Sequence, residues 1–276
     1  MTTRRDVLMA MAAAGVGALL PRVLRADPLT GVGIQLYTLR NEMQRDPLRT
    51  LERIAQIGYT EIEWWGEFGQ TPAQLRSRLD ANGLSSPAWH LAPEALAPEQ
   101  LGATLDTAAI MGHKHLIIAW LPPAQRTQDG FKRIADLLNA AGERAASAGV
   151  RTGYHNHDFE FARADSGTLW DVLVGQTDAR FVDLELDCYW AFKAGHDPIA
   201  LLRHLKDRIT HLHLKDSTTA PAFTQKDLGE GVIDWPALLR VAAAGRVQHV
   251  FVEHDAPVDP WVTAEVGRRY LRGLGY

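Results

Sequence analysis

The chain contains 276 residues, of which 46% are hydrophobic and 22% are charged, a composition typical of a globular protein with ample material for a large core. Its formal net charge of −4 gives no general attraction to nucleic acid or to anionic membranes, and we expect neither as a partner. The single cysteine, Cys188, excludes an internal disulfide and a cysteine-built metal site.

The N-terminal segment has the pattern of an export signal. Thr3-Arg4-Arg5 precedes an apolar, small-residue run from Met9 to Leu20. A basic start before a short apolar run predicts secretion, and the adjacent arginines predict the twin-arginine pathway. We therefore expect residues 1–26 to be removed and residues 27–276 to work in the periplasm or elsewhere outside the cytoplasm, without stable membrane association. A retained anchor and a frayed amphipathic helix are the alternatives.

From Gly31 onward, strand and helix patterns alternate eight times. Strands are predicted at 32–37, 60–64, 85–90, 114–120, 151–157, 181–187, 209–215 and 247–253. Helical periodicity is found at 47–57, 72–81, 98–111, 128–148, 198–206, 236–243 and 260–271. Alternating units predict a parallel sheet covered by helices, and eight of them fit a single closed (β/α)₈ TIM barrel. The first strand–helix turn has no glycine-rich loop, so NAD binding is not expected.

Ionisable residues stand at the ends of the later strands. Alternation places Asp183, Glu185 and Asp187 on the inward face of the sixth strand, and the same parity points His213 and Glu253 inward. The carboxyl ends of barrel strands meet at one mouth. Buried carboxylates without partners are costly, and one divalent ion would satisfy Asp187, His213 and Glu253 together. The deeper pair Asp183 and Glu185 is expected to bond each other, His211 or Arg151 rather than a substrate.

Several motifs together resemble a known family. They are Leu36-Tyr37-Thr38-Leu39-Arg40, Gly153-Tyr154-His155-Asn156-His157, Asp187-Cys188-Tyr189-Trp190, His211-Leu212-His213-Leu214-Lys215-Asp216, Leu228-Gly229-Glu230-Gly231 and Val252-Glu253-His254. The chain after the signal is similar to the sugar phosphate isomerase/epimerase family with the xylose-isomerase-like barrel. That family includes tagatose and psicose 3-epimerases and inosose dehydratases.

The resemblance implies one divalent ion at the mouth. The family's ligands fall on His155, Asp187, His213 and Glu253, although the family has a glutamate where this chain has His155. Imidazole is a good donor to transition metals, so Mn or Zn is expected, with Co or Mg as alternatives. The other interpretation is that His155 only donates a hydrogen bond and water completes the coordination.

The same resemblance suggests roles around the ion. Glu253 would transfer a proton, Glu160 would replace the missing strand-five carboxylate, and Lys215 would hold an oxyanion or a leaving hydroxyl. Alternatively, Glu160 is a solvated loop carboxylate and Lys215 a salt-bridge partner of Asp187 or Asp216. Substrate contacts are predicted for His157, His90, Trp190 and Glu63.

These features predict a metal-dependent carbohydrate isomerase or epimerase that removes a proton next to a carbonyl and forms a metal-stabilised enediolate. Elimination from the same enediolate makes a lyase or dehydratase of a 3-keto sugar, 3-keto-glycoside or cyclitol the alternative. A non-catalytic, exported sugar-binding module is a further alternative. The related abasic-site endonucleases are excluded, because Trp190 and the loop 224–227 lack their additional metal ligands. A small, unphosphorylated sugar is the expected partner, and a homo-oligomer is left open.

Overall fold

The computed structural model describes Leu29 and residues 31–276. The strands, in chain order, are β1 (Gly31–Gln35), β2 (Glu61–Trp65), β3 (Ser85–Leu91), β4 (His115–Ile118), β5 (Arg151–His155), β6 (Val182–Asp187), β7 (Ile209–Leu214), β8 (Asp216–Ser217), β9 (Gln225–Lys226) and β10 (His249–Val252). Eight of them pair in parallel and close in the order β1–β10–β7–β6–β5–β4–β3–β2, while β8 and β9 form a small antiparallel hairpin. The predicted (β/α)₈ barrel is confirmed.

Helices connect the strands on the outside of the barrel. They are α1 (Arg40–Arg45), α2 (Pro47–Ile57), α3 (Pro72–Ala81), α4 (Leu101–Met111), α5 (Gln128–Ala145), α6 (Leu169–Gln176), α7 (Cys188–Lys193), α8 (Pro198–His204), α9 (Trp235–Ala242) and α10 (Pro260–Gly273). Helix α2 starts where the Asp46 side chain accepts the backbone N–H of Arg49 and Pro47 occupies the first turn. Helices α1, α6 and α7 were not predicted.

Each barrel strand has an outward face toward the helices and an inward face toward the barrel axis. The outward faces of the strands pack on the helices in the main hydrophobic core, to which Leu184 and Leu186 of β6 belong. Inside the barrel, Ala88, Ile117 and Phe251 form a separate apolar layer. The Phe251 ring occupies the space that a side chain at Gly33 would need, so β1 must have glycine there. Polar side chains lie above and below this apolar layer.

Within residues 31–276, no helix is both long and apolar enough to cross a membrane. The predicted export signal at residues 1–26 lies outside the residues that the structure describes. Export and the boundary at residue 26 therefore stay predictions.

Candidate active site

A cavity of about 1110 Å³ opens at the carboxyl ends of the barrel strands. Six of the side chains that sequence analysis selected line it: His90, His155, His157, Trp190, Lys215 and Glu253. Asp187 and His213 are fully buried and lie beside these residues. The structure thus gathers most of the selected residues at one mouth, as parallel strand ends require.

The three residues for which we inferred a shared ion meet there. Asp187, His213 and Glu253 each offer one ligand atom, and these atoms all lie within 4.8 Å of one another. Nδ1 of His213 is 2.7 Å from Oε2 of Glu253 and 3.9 Å from Oδ2 of Asp187. They come from the ends of β6 and β7 and from the residue that follows β10. Their roles as ligands stay a prediction, although the geometry that the prediction required is present.

His155 lies between this group and a second one. Its Nε2 is 3.9 Å from Oδ2 of Asp187, and its Nδ1 is 3.0 Å from Oε2 of Glu185. Glu185 also contacts His90 at 2.5 Å and His213 at 3.3 Å. These four residues form a second potential metal-binding group that shares His213 with the first. The sequence analysis assigned Glu185 only to contacts inside the barrel. Its inward position on the same strand as Asp187 was the signal that could have placed it in this group.

Glu63 does not occupy the position that sequence analysis predicted. It is fully buried below the cavity, where its Oε2 accepts hydrogen bonds from Nε2 of His213 and from Nε2 of Gln35, both at 2.6 Å. The strand register pairs Glu63 with Ala88, whereas the next inward residue of β3, His90, lines the cavity. Glu63 therefore orients the His213 ring from behind, and a direct substrate contact is not supported.

Lys215 is the centre of a buried ion-pair network. Its Nζ lies 2.9 Å from Asp187, 2.8 Å from Glu253 and 2.8 Å from Asp255. Burial disfavours the ammonium form, but these carboxylates outweigh it and hold the pKa of Lys215 well above its usual range. Asp255 was missed by sequence reasoning, although it has the same strand parity as Glu253. Asp216, the other predicted partner of Lys215, instead accepts backbone N–H groups of the loop 229–233.

Glu160 does not line the cavity. It is fully buried and accepts hydrogen bonds from the Tyr154 hydroxyl and from the backbone N–H of His157, both at 2.8 Å. Burial raises the pKa of Glu160 to about 8 against these two hydrogen bonds. The short turn Phe159–Phe161 folds the carboxylate back beneath the loop. Burial contradicts the solvated alternative, and in this structure Glu160 supports the loop after β5, while its catalytic role stays a prediction.

The aromatic wall of the cavity contains two of the predicted substrate contacts. The His157 ring stacks on Phe159 and lies 5.1 Å from Trp190. Burial, with Lys215 nearby, lowers the pKa of His157 to about 3, so its imidazole is neutral. The Trp190 ring lies 5.7 Å from Nζ of Lys215. A flat, partly polar wall of this kind suits a sugar or cyclitol ring.

The buried acids of the mouth have unsatisfied oxygens. Oε1 of Glu63, Oε1 of Glu185 and Oδ2 of Asp187 accept no hydrogen bond of good geometry from the described residues, although Lys215 lies near the last of them. Both ring nitrogens of His213 face carboxylates, which requires a proton or a cation on each nitrogen. Mixed carboxylate and imidazole donors suit Zn or Mn. The residues of the mouth can therefore hold a divalent ion.

Charges in the mouth are strongly coupled. Burial opposes protonation of His90, but Glu63 and Glu185 outweigh it and raise its pKa to about 9. Burial raises the pKa of Asp187 to about 6 against the pull of Lys215. Glu253 is also buried, yet Lys215 and His213 keep its pKa well below the ordinary value. Glu253 is therefore an ionised carboxylate on the cavity wall.

A closed parallel barrel with carboxylates and imidazoles around a cavity at its mouth defines the class of (β/α)₈ proteins with a small-molecule site at the strand ends. Residues 51–273 match the family model of the xylose isomerase-like TIM barrel, and the chain belongs to this family. The family resemblance inferred from the motifs is thereby confirmed.

Similar proteins include enzymes of two kinds. The inosose dehydratase of Lacticaseibacillus casei is 26% identical over 263 residues, which cover 81% of this chain and 88% of that protein. A sugar phosphate isomerase/epimerase from Parabacteroides distasonis has a TM-score of 0.77 at 25% identity, with 88% of this chain and 96% of that chain covered. The IOLI protein with a bound zinc atom has a TM-score of 0.67 at 16% identity, over 88% of this chain and 97% of that one, a likeness of fold alone.

Proposed function

We propose that this chain is a metal-dependent lyase that acts on a keto-sugar, 3-keto-glycoside or cyclitol. Its reaction would remove the proton next to the ketone and expel an oxygen substituent from the neighbouring carbon. The observation that carries this proposal is the 2.8 Å contact between the Glu253 carboxylate and the Lys215 ammonium on the cavity wall. A base and an acid thus stand side by side, as elimination requires.

Each residue of this pair has one task in the proton transfers. Glu253, ionised on the cavity wall, accepts the proton from the carbon next to the ketone. Lys215 donates a proton to the oxygen that leaves, while the C–O bond breaks and a C=C bond forms in conjugation with the carbonyl. The proton held by Glu253 can return to Lys215 across their 2.8 Å contact. A positioned acid or base of this kind contributes roughly 10²–10⁴-fold to the rate.

The metal would be held by Asp187, His213 and Glu253, with His155 as the fourth ligand. When bound, a divalent ion supplies Lewis-acid polarisation of the substrate carbonyl, an effect of several kcal/mol. Mn or Zn is the preferred ion for this donor set, with Co or Mg as alternatives. Glu63 fixes the His213 ring from the side opposite Glu253.

Two features support elimination over epimerisation. Inversion at one carbon calls for proton-transfer groups on both faces of the substrate. Strand β5 ends in His155 where the family has a glutamate, and the replacement that we predicted, Glu160, is bonded to Tyr154 and a backbone N–H outside the cavity. The curated relatives named inosose dehydratase support the same choice.

An isomerase or epimerase is the second candidate. It is favoured by His157, a neutral imidazole on the cavity wall that could exchange a proton in place of the missing carboxylate. It is favoured also by the name of the similar protein from Parabacteroides distasonis.

An unphosphorylated substrate fits the charges of the cavity. Three of its cationic side chains, Arg126, Lys215 and Lys226, are matched by the anionic Asp158, Glu253 and Asp255. The protonated His90 is matched by the buried Glu63 and Glu185. The proposal also includes export by the twin-arginine pathway, after which the protein would act outside the cytoplasm. Replacing Arg4 and Arg5 together by lysine should leave the full-length chain in the cytoplasmic fraction.

Incubation in D₂O separates these functions. Metal-loaded protein is given an inosose or a 3-keto-glucoside, and the products are followed by NMR. A lyase releases the substituent and produces an unsaturated ketone or its diketone tautomer. Deuterium at the α-carbon with every substituent retained would instead identify an epimerase or isomerase. Saturable binding of these compounds with neither change would identify a sugar-binding module.

A further inference from the structure

A second cluster of imidazoles lies at the other end of the barrel interior. His115 and His249 begin β4 and β10, and His211 is near the start of β7. One ring nitrogen from each lies within 4.8 Å of the other two. The ring centroids of His115 and His211 are 4.3 Å apart, and those of His211 and His249 are 5.0 Å apart.

Each ring is held by a partner on one nitrogen. Nδ1 of His249 is 2.8 Å from Oε2 of Glu61. Nε2 of His115 is 3.3 Å from Oδ2 of Asp183, and Nδ1 of His211 is 2.8 Å from the Thr210 hydroxyl oxygen. Histidines that ligate metals are typically oriented in this way, by a carboxylate or another oxygen on the nitrogen remote from the ion.

Two of the other ring nitrogens have no partner. Nδ1 of His115 and Nε2 of His211 are buried and form no hydrogen bond with the described residues. The two residues are 6% and 0% exposed, so bulk water does not satisfy these nitrogens. Buried polar atoms normally have a partner, so two such nitrogens in one cluster are placed to bind a shared ligand. His249 is the least buried of the three, with 12% of its side chain exposed.

The cluster is separate from the mouth. The Phe251 ring lies between the two, with its centroid 6.2 Å from His211 and 6.1 Å from His213. Ala88 and Ile117 complete this apolar layer. An ion among the lower histidines would therefore have its own ligands and would not exchange directly with an ion at the mouth.

We propose that His115, His211 and His249 form a second, structural site for a transition-metal ion such as Zn²⁺. Three imidazoles with one open position for water match a known zinc geometry, in which neighbouring nitrogens stand about 3.4 Å apart. The ion would join β4, β7 and β10 across the barrel interior, and Glu61 and Asp183 would balance its charge.

Zinc content tests this site without reference to turnover. Untagged, full-length protein is saturated with Zn²⁺, freed of excess ion and assayed by mass spectrometry for metal. We expect two ions per chain, one after His249→Gln or His211→Gln, and one after Asp187→Asn at the mouth. The double variant Asp187→Asn/His249→Gln should hold none.

A matched control is His113→Gln. His113 is also buried with an unpartnered ring nitrogen, but it packs against Trp64 and Trp89 and bonds the Ser86 carbonyl. It should retain both ions. If His211→Gln does not fold, the less buried His249→Gln decides. Wild-type zinc content in a folded His249→Gln protein, or a single wild-type ion that only Asp187→Asn removes, would overturn the proposal.

Discussion

Replacing Lys215 with methionine separates the catalytic role of the buried ammonium from its structural role. Methionine keeps most of the length of the side chain and removes the charge that contacts Asp187, Glu253 and Asp255 within 2.9 Å. Breaking a buried ion pair by removing one partner costs about 3–5 kcal/mol, because the remaining charges stay unpaired. We expect the metal-free variant to lose this much free energy of unfolding, measured by urea denaturation in a chelator.

A divalent ion should restore the stability of this variant but not its activity. A unit charge about 4 Å from another contributes roughly 4 kcal/mol at an effective dielectric constant of 20. Removing the competing ammonium should therefore leave metal binding intact or make it tighter. Turnover should still fall about 10²–10⁴-fold with saturating Mn²⁺, because the acid for the leaving oxygen is absent.

Lys193→Met is the matched control. Lys193 lies over the Trp190 ring and pairs with Asp158 at 3.0 Å, but its side chain is 35% exposed. Exposed pairs contribute about 0–1 kcal/mol, so stability and turnover should change little. Turnover of Lys215→Met within tenfold of the wild type would remove Lys215 from the mechanism. Unchanged stability in a chelator would refute the ion-pair argument.

Three further changes test other parts of the molecule. Glu253→Gln should lose the metal at the mouth, measured as bound Mn²⁺. Its turnover should fall by at least about 10²-fold, because the base is gone. An active variant would contradict the mechanism. Glu160→Gln should keep its metal and most of its turnover. Urea denaturation should show a loss of about 1–3 kcal/mol in the free energy of unfolding, because Tyr154 or His157 loses its acceptor. An inactive but fully metallated variant would instead support the predicted catalytic role of Glu160. Burial lowers the pKa of His113 to about 4 from an unfolded value of 6.5, so the unfolded chain binds more protons between these values. His113 alone should therefore lower the free energy of unfolding by about 3 kcal/mol as the pH drops from 6.5 to 4, and His113→Gln should remove that part of the fall in the urea-measured profile. An unchanged profile would contradict this assignment.

The barrel could be predicted because its signals are local. The aliphatic Leu184 and Leu186 alternate with inward acids on β6, and both are fully buried on the helix side. Helices α2 and α3 begin and end at the predicted residues. Proline and capping side chains mark their starts. Helix α6 has only eight residues and little amphipathic character, so periodicity could not reveal it.

The height of a side chain within the barrel could not be predicted in the same way. Alternation tells which residues face the axis, and strand ends correctly brought Asp187, His213 and Glu253 together. How far each strand is shifted against its neighbour depends on the closure of the whole sheet. That shift places Glu63 below the cavity, level with Ala88. The turn after β5, which keeps Glu160 out of the cavity lining, is likewise set by tertiary contacts with Tyr154.

The two polar levels of the interior present the same physical problem. Buried carboxylates need positive charge nearby, since their desolvation is not offset by hydrophobic contacts. At the lower level Arg151 supplies part of it, bonding Asp183 through two guanidinium nitrogens at 2.5 and 2.9 Å. At the mouth Lys215 and the protonated His90 do so, but one oxygen of Glu185 and one of Glu63 remain without a partner. A divalent cation held at the mouth would balance the buried negative charge that remains.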